Sequence, residues 1–288
     1  MKIFNKITII GVGLIGGSIG LAVKKRRIAK EVIGVFRRKH TLNKALKAKA
    51  IDRATMSIRE GAHDADLIIV ASPVHSIPAL IKEAARYAKD RAIITDVGST
   101  KSWIVNNVER ALKNSRAVYF VGSHPMAGSE HTSVEYARAD LLKDAPCIVT
   151  KTGRTDRNAL KKVTHFWKAL GTKVKVMSPA AHDRSVSMIS HLPHIVAFGL
   201  AGAVPAKELQ YAAEGFKDTT RVASSDPFIW ADIFLTNREE VLRAGRAFEK
   251  YYKDILRAVA GGDYPGTVSA LKKAKAKRDR FLYGKERP

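Results

Sequence analysis

The chain has 288 residues, 45% of them apolar and 27% charged, ordinary usage for a globular protein, so a packed core is available and wholesale disorder is excluded. Its 51 Lys and Arg against 27 Asp and Glu leave a formal charge of +24, which draws anions to the surface without saying which. A single cysteine, Cys147, excludes an internal disulfide and any multi-thiolate metal site.

The opening stretch MKIFNKITII runs straight into a strand pattern with no separate apolar leader, and no run of 18 apolar residues follows anywhere, which reads as a soluble cytoplasmic protein with no membrane partner. Apolar runs alternate with helix-like segments through the first half, as in parallel βαβ units whose strands are covered on both faces. The strands expected are Ile7 to Ile10, Val32 to Phe36, Leu67 to Ala71, Ala92 to Asp96, Tyr119 to Val121, Cys147 to Thr150 and Lys173 to Val176, seven in one open sheet. Between them, Ser76 to Ala88 and Thr155 to Leu170 carry apolar residues at helical spacing, with Asp156 placed to cap the second.

The first strand is followed by Gly11, Val12, Gly13, Leu14, Ile15, Gly16, Gly17 and Ser18, a G-x-G-x-x-G pattern between strand and helix. Gly11 permits the tight turn, Gly13 lets a pyrophosphate approach the backbone, and Gly16 allows close packing, while the helix N-terminus offers free N–H groups to the anion. This is the reading of a dinucleotide site. A carboxylate normally ends the second strand and accepts from the ribose 2′-OH of NAD. Here that position is Phe36, followed by Arg37, Arg38 and Lys39, so nothing repels a 2′-phosphate and cations stand ready to hold one. NADP is therefore expected over NAD, with NAD still accepted if these cations belong only to the general basic excess. Ser72, just past the third strand, joins Gly11, Gly13, Leu14, Ile15, Gly16, Arg37 and Arg38 as a candidate cofactor contact.

After Ser178 the β-branched runs stop, and long amphipathic stretches follow: Ala180 to Val204, Lys207 to Ala223, Pro227 to Val259 and Thr267 to Leu282. The division expected is a dinucleotide-binding domain over 1–177 and a helical domain over 178–288, whose apolar stripes call for a partner surface and hence a homodimer. The C-terminal basic cluster (Lys272, Lys273, Lys275, Lys277, Arg278, Arg280, Lys285 and Arg287) has helical spacing and no interleaved aromatics, so it reads as a solvated face and no nucleic-acid partner is expected.

Three segments carry chemistry at points where strands end or helices begin: Thr95 to Lys101, Gly122 to Glu130, and Ser190 to His194 with Phe216 to Arg221 further on. Together GVGLIGGS, DVGSTK, SHPMAGSE, SHLPH, FKDTTR and DPFIWADIF resemble the prephenate dehydrogenase family, which includes arogenate and cyclohexadienyl dehydrogenases, over nearly the whole chain. The resemblance implies an α/β Rossmann-type dinucleotide-binding domain followed by an all-helical dimerisation domain, and oxidative decarboxylation of prephenate to 4-hydroxyphenylpyruvate. It also implies a role for each matching residue. His124 is the catalytic imidazole that accepts a hydrogen bond from the ring 4-hydroxyl, and it must be neutral; the alternative is a strand-end histidine capping the next turn. Ser99 stands near hydroxyl and nicotinamide, or caps a helix beginning at Thr100. His194 reaches the pyruvyl side chain, Ser190 and His191 line the same pocket, Arg221 holds a substrate carboxylate, and Glu130 gates the mouth and pairs with that arginine. Asp218 is expected to orient Arg221, and Trp230 to pack in the core. His191 and His194 share a helical face but lack a third ligand, so no metal is expected. His194 favours prephenate; the missing ribose carboxylate also fits NADP-using arogenate enzymes.

Overall fold

The computed structural model describes residues 3–113, 118–128 and 133–284, leaving aside the side chain of His40. β1 (Phe4–Ile10), β2 (Ala29–Val35), β3 (Arg53–Thr55), β4 (Leu67–Val70), β5 (Ala92–Asp96) and β6 (Val118–Val121) form a parallel sheet in the order β3, β2, β1, β4, β5, β6. The strands read as unbroken apolar runs because alternate residues feed opposite faces. Ile7, Ile9, Leu67, Ile69, Ile93 and Val121 enter one core, while Ile10, Val35, Ile68, Val70, Ile94 and Val118 enter the other.

Helices α1 (Leu14–Lys25), α2 (Lys39–Lys47), α3 (Ile58–Ala62), α4 (Ile77–Ala85), α5 (Ser102–Ala111) and α6 (Arg157–Ala169) follow along the α/β part. Asp156 caps α6 by accepting from Ala159 N at 2.8 Å. The expectation of seven strands in one sheet is corrected. Nine strands are present among the described residues, and the last three, β7 (Ser123–Pro125), β8 (Pro146–Thr150) and β9 (Lys173–Met177), form a separate sheet with β7 antiparallel to β8. The chain leaves the large sheet at Gly122, where a Cβ would sit 2.6 Å from Thr150 Oγ1. Cys147, Val149, Phe166 and Trp167 then share the first core, so the small sheet is anchored through burial that costs about 3–5 kcal/mol per large aromatic removed.

Beyond β9 the chain is helical: α7 (Pro179–Val186), a π turn over Ser187–His191, α8 (Leu192–Ala203), α9 (Glu214–Thr220), α10 (Pro227–Thr236), α11 (Arg238–Ala260) and α12 (Tyr264–Tyr283). The stretch expected as one helix from Pro227 to Val259 breaks at Asn237, whose backbone leaves helical geometry. The run Pro179–Ala203 is long and apolar enough to cross a bilayer by length and composition. Its inward face mixes polar residues with Val186 and Ala197. Asp183, Ser187 and His191, four residues apart, are buried, whereas Met188, Ile189 and Leu200 are exposed.

By compactness the chain forms two units, 1–238 and 239–288. The first holds both sheets and α7 to α10, with Ile233 of α10 in the second core. The second is a helical pair in which Asp263 caps α12 and Tyr251 Oη donates to the carbonyl of Ala270 at 2.8 Å. It leaves Phe248, Tyr252, Leu256, Val259, Leu271 and Phe281 exposed.

Candidate active site

The carboxyl ends of β1, β4 and β5 stand side by side, and the chain enters β7 immediately after the neighbouring β6. This is the edge where open α/β sheets bind ligands, beside the reversal of strand order at β1. Gly11 turns here at φ +91°, and a Cβ on it would lie 2.3 Å from the carbonyl oxygen of Ala71 and 2.9 Å from Ser72 Oγ. A Cβ on Gly16 would meet the Gly11 carbonyl at 2.2 Å. Gly13 is the residue before α1, whose first turn, including Leu14, Ile15 and Gly16, holds no acidic side chain. Its N–H groups are therefore available to an anion. Gly11 and Gly16 are thus required by close backbone approach, and the cradle fits a dinucleotide pyrophosphate.

At the end of β2, Phe36 is buried in the first core and cannot offer a polar atom to a ribose. Arg37 and Arg38 are exposed, and neither has a carboxylate partner among the described residues. Arg38 also precedes α2, its carbonyl accepting from Thr41 Oγ1 at 2.7 Å.

Around β5 and β7 lies a buried polar cluster. His124, half-buried on β7, places Nδ1 2.8 Å from Nε2 of His182, whose Nδ1 lies 2.7 Å from Asp183 Oδ1. Asp183 Oδ1 and Oδ2 also accept from the backbone N–H groups of Lys101 and Ser102, each at 2.7 Å. Lys101 is fully buried, pairs with Asp96 and donates to the carbonyl of Ser123 at 2.9 Å. Asn237 donates to the Asp183 carbonyl at 3.0 Å and lies 3.2 Å from His191 Nδ1. His124 turns its Nδ1 to His182 and so into the cluster. The capping alternative for Ser99 fails: α5 begins at Ser102, and its first free N–H groups go to Asp183. Ser99 is half-buried in the loop leaving β5, beside Gly98, whose N–H donates to Asp96.

Burial sets the charge states. It holds His124 well below the ordinary imidazole range, helped by His182, Lys101 and His191. Burial likewise lowers His182, against the opposing pull of Asp183, and draws His191 down to about 4. Burial alone would raise the Asp183 carboxyl, but His182 and the two backbone donors outweigh it and leave it below the usual carboxylate range. At neutral pH the cluster holds neutral imidazoles around an ionised carboxylate.

His194 sits on the first turn of α8, stacked on Trp230 with centroids 3.5 Å apart and planes inclined by 22°. Trp230 is thus no mere core residue; it fixes one face of His194 and meets the edge of His191 at 6.1 Å. His194 Nδ1 lies 2.8 Å from the carbonyl of Ser190. Burial lowers the His194 pKa, and Arg221 is near enough to lower it further. Arg221 itself is exposed at the end of α9. Among the described residues Asp218 makes no ion pair with it, while Lys217 is taken by Glu214 at 2.7 Å. His191 is 1% exposed, inside the network instead of on an open wall. Glu130 lies outside the described residues. His124, His182, Asp183, Asn237, His191, Trp230 and His194 form one unbroken chain of contacts. Sequence reasoning missed His182, Asp183 and Asn237. Among the described residues no group of three His, Cys, Asp or Glu is arranged to hold a metal.

Comparison with known proteins gives the family. The prephenate dehydrogenase nucleotide-binding domain matches residues 19–176, and the prephenate dehydrogenase dimerization domain matches residues 178–273. The glycine loop precedes the first match and rests on its own geometry. A prephenate dehydrogenase of Bacillus subtilis is 37% identical over 258 residues, 87% of this chain and 68% of that protein. A cyclohexadienyl dehydrogenase of Zymomonas mobilis is 32% identical, covering 92% of each. The crystal structure of the A. aeolicus prephenate dehydrogenase, in complex with hydroxyphenyl propionate and NAD+, superposes with a TM-score of 0.89 at 33% identity over 96% of this chain and 98% of that one. With both domains matched in order and a Rossmann-type sheet followed by helices, the chain belongs to the prephenate dehydrogenase family of NAD(P)-dependent oxidoreductases.

Proposed function

We propose that the chain converts prephenate to 4-hydroxyphenylpyruvate and CO2 in the cytoplasm, with NADP preferred over NAD. The observation that carries this reading is the half-buried, neutral imidazole of His124, held at the same carboxyl edge of the sheet as the glycine cradle. A bound nicotinamide supplies the acceptor for a hydride. In the reaction the C4–H bond breaks with its electron pair, and His124 Nε2 accepts the hydroxyl proton as that oxygen becomes a carbonyl. The bond to the ring carboxylate then breaks, its electrons aromatise the ring, and the proton returns to the phenolic oxygen. Such a positioned imidazole contributes about 10²–10⁴-fold. Ser99 is assigned to the hydroxyl and nicotinamide side of the pocket. Arg221 and His194 take the pyruvyl end, with Ser190 holding His194, His191 bracing the wall from within, and Glu130 at the mouth. Gly11, Gly13, Leu14, Ile15, Gly16 and Ser72 form the pyrophosphate cradle, and Arg37 and Arg38 face the 2′-phosphate. The functional division falls at 177/178, and the exposed apolar faces of the helical part support a homodimer.

One observation favours a second substrate, arogenate. His194 Nδ1 is engaged by the Ser190 carbonyl, so the neutral ring offers only an acceptor at Nε2, which suits an ammonium. A ketone needs the protonated ring. Purified protein incubated with prephenate or arogenate, each with NAD or NADP, and followed by absorbance of the reduced nicotinamide, tests both. Turnover of prephenate with NADP is expected, and none with prephenate under either cofactor overturns the reading.

A further inference from the structure

We propose that Asp183, acting through His182, fixes the tautomer of His124 so that its Nε2 is the ring nitrogen left without a hydrogen. The argument runs outward from the carboxylate. Both Asp183 oxygens accept from backbone N–H groups at 2.7 Å; these donors favour the ionised carboxylate, which can only accept. His182 Nδ1, 2.7 Å from Oδ1, must therefore carry its hydrogen. His182 is fully buried with the Lys101 ammonium nearby, so it holds only one ring hydrogen, and its Nε2 is bare. At 2.8 Å from that bare nitrogen, His124 Nδ1 has to donate. A neutral His124 then presents Nε2 as an acceptor, the state a hydroxyl proton requires.

The groups facing this pair are those already named: Lys101 and Asp96 from the end of β5 and the loop after it, His191 from the π turn, and Asn237 after α10. None offers His124 Nδ1 a competing hydrogen bond. His182 and Asp183 are buried behind His124 and act through it, as positioning residues. The same carboxylate also closes the N-terminus of α5, so one side chain ties a helix end, the Lys101 loop and the imidazole pair into a single rigid body.

The role of the tautomer in turnover rests on the reading of His124 given above, but the tautomer itself does not. The experiment uses the full-length chain labelled with 15N-histidine and long-range 1H–15N correlation spectra, with His124 assigned by the signals lost in His124→Asn. The expected wild-type spectrum shows a protonated Nδ1 and a bare Nε2 at His124; the reverse overturns the proposal whether or not prephenate is turned over. In His182→Phe, checked for folding by thermal unfolding, the acceptor for Nδ1–H is gone. The Nε2–H form should then become populated, and kcat should fall about 10- to 100-fold with KM for prephenate nearly unchanged. A folded His182→Phe that loses turnover without a change of His124 tautomer, or keeps both, also overturns it. Should that variant not fold, the wild-type spectrum decides alone.

Discussion

The glycine cradle and the histidine cluster lie at the same edge of the sheet but are built from opposite materials. The cradle is mostly backbone: all its residues but Ser72 lie within six consecutive positions, they carry no titratable group, and its shape comes from close approaches such as that of Gly11 to the Ala71 carbonyl. The cluster is side chains from distant segments, with His124 and His182 separated by 58 positions and Lys101 and Asp183 by 82. One site depends on the absence of atoms, the other on charge states that burial enforces. The first should therefore respond to added volume and the second to lost nitrogens and to pH.

The largest separation of the two is expected from His124→Asn. Removing the acceptor should lower kcat by about 10²–10⁴-fold while leaving the Kd of the cofactor, measured by fluorescence titration, within about twofold. Loss of cofactor affinity in this variant would mean the two regions are one. The converse change, Gly11→Ala, puts a methyl 2.3 Å from a carbonyl oxygen at φ +91°. It should cost about 1–3 kcal/mol in backbone strain and weaken cofactor binding at least tenfold, without altering the His124 ring signals.

The contrast also explains what the sequence could reveal. Backbone-built features are written locally: the glycine spacing, the strands β1, β2, β4 and β5, and the Asp156 cap each follow from neighbours a few positions apart. The seven-stranded sheet was a misreading because β7 is three residues long, contains Pro125, and is separated from β6 only by Gly122. No periodicity can develop over so short a strand. His182 and Asp183 were hidden for another reason. In an amphipathic helix polar residues ordinarily face water, yet here Asp183, Ser187 and His191 face inward and Met188 and Ile189 outward. Polar residues at i, i+4 and i+8 were present, but among other polar residues such as Arg184, Ser185 and Ser190, and which of them face inward is set by what packs against the helix. His124 and His194 were identified by motif resemblance, which carries tertiary information that spacing does not.

A smaller effect probes the rim of the cradle. Arg37 and Arg38 have no carboxylate partners among the described residues, so replacing both by Ala should raise KM for NADP by about tenfold, equivalent to about 1.4 kcal/mol, and leave KM for NAD nearly constant. Equal losses with both cofactors would return these cations to the general basic surface.

The smallest effect is thermodynamic and belongs to the cluster alone. A histidine whose folded pKa lies below its unfolded value adds nothing above the unfolded pKa; as pH falls below it, the unfolded chain takes a proton that the folded ring refuses. His191, ordinarily near 6.5 and drawn down to about 4 in the fold, should therefore withdraw stability between those limits, at up to about 1.4 kcal/mol per pH unit. His124 and His182, lowered by the same burial, steepen the loss from 6.5 downward. Asp183, whose carboxyl is depressed, withdraws its own contribution only below its unfolded value of 3.8, so the two kinds of group act in separate windows. Urea unfolding of the wild type and of His191→Gln from pH 7.5 to 4.5 measures this: the variant should lose less stability across the acid range. A variant whose stability falls in parallel with the wild type would mean that His191 titrates in the fold as it does in the open chain, and that the cluster is wetter than its packing requires.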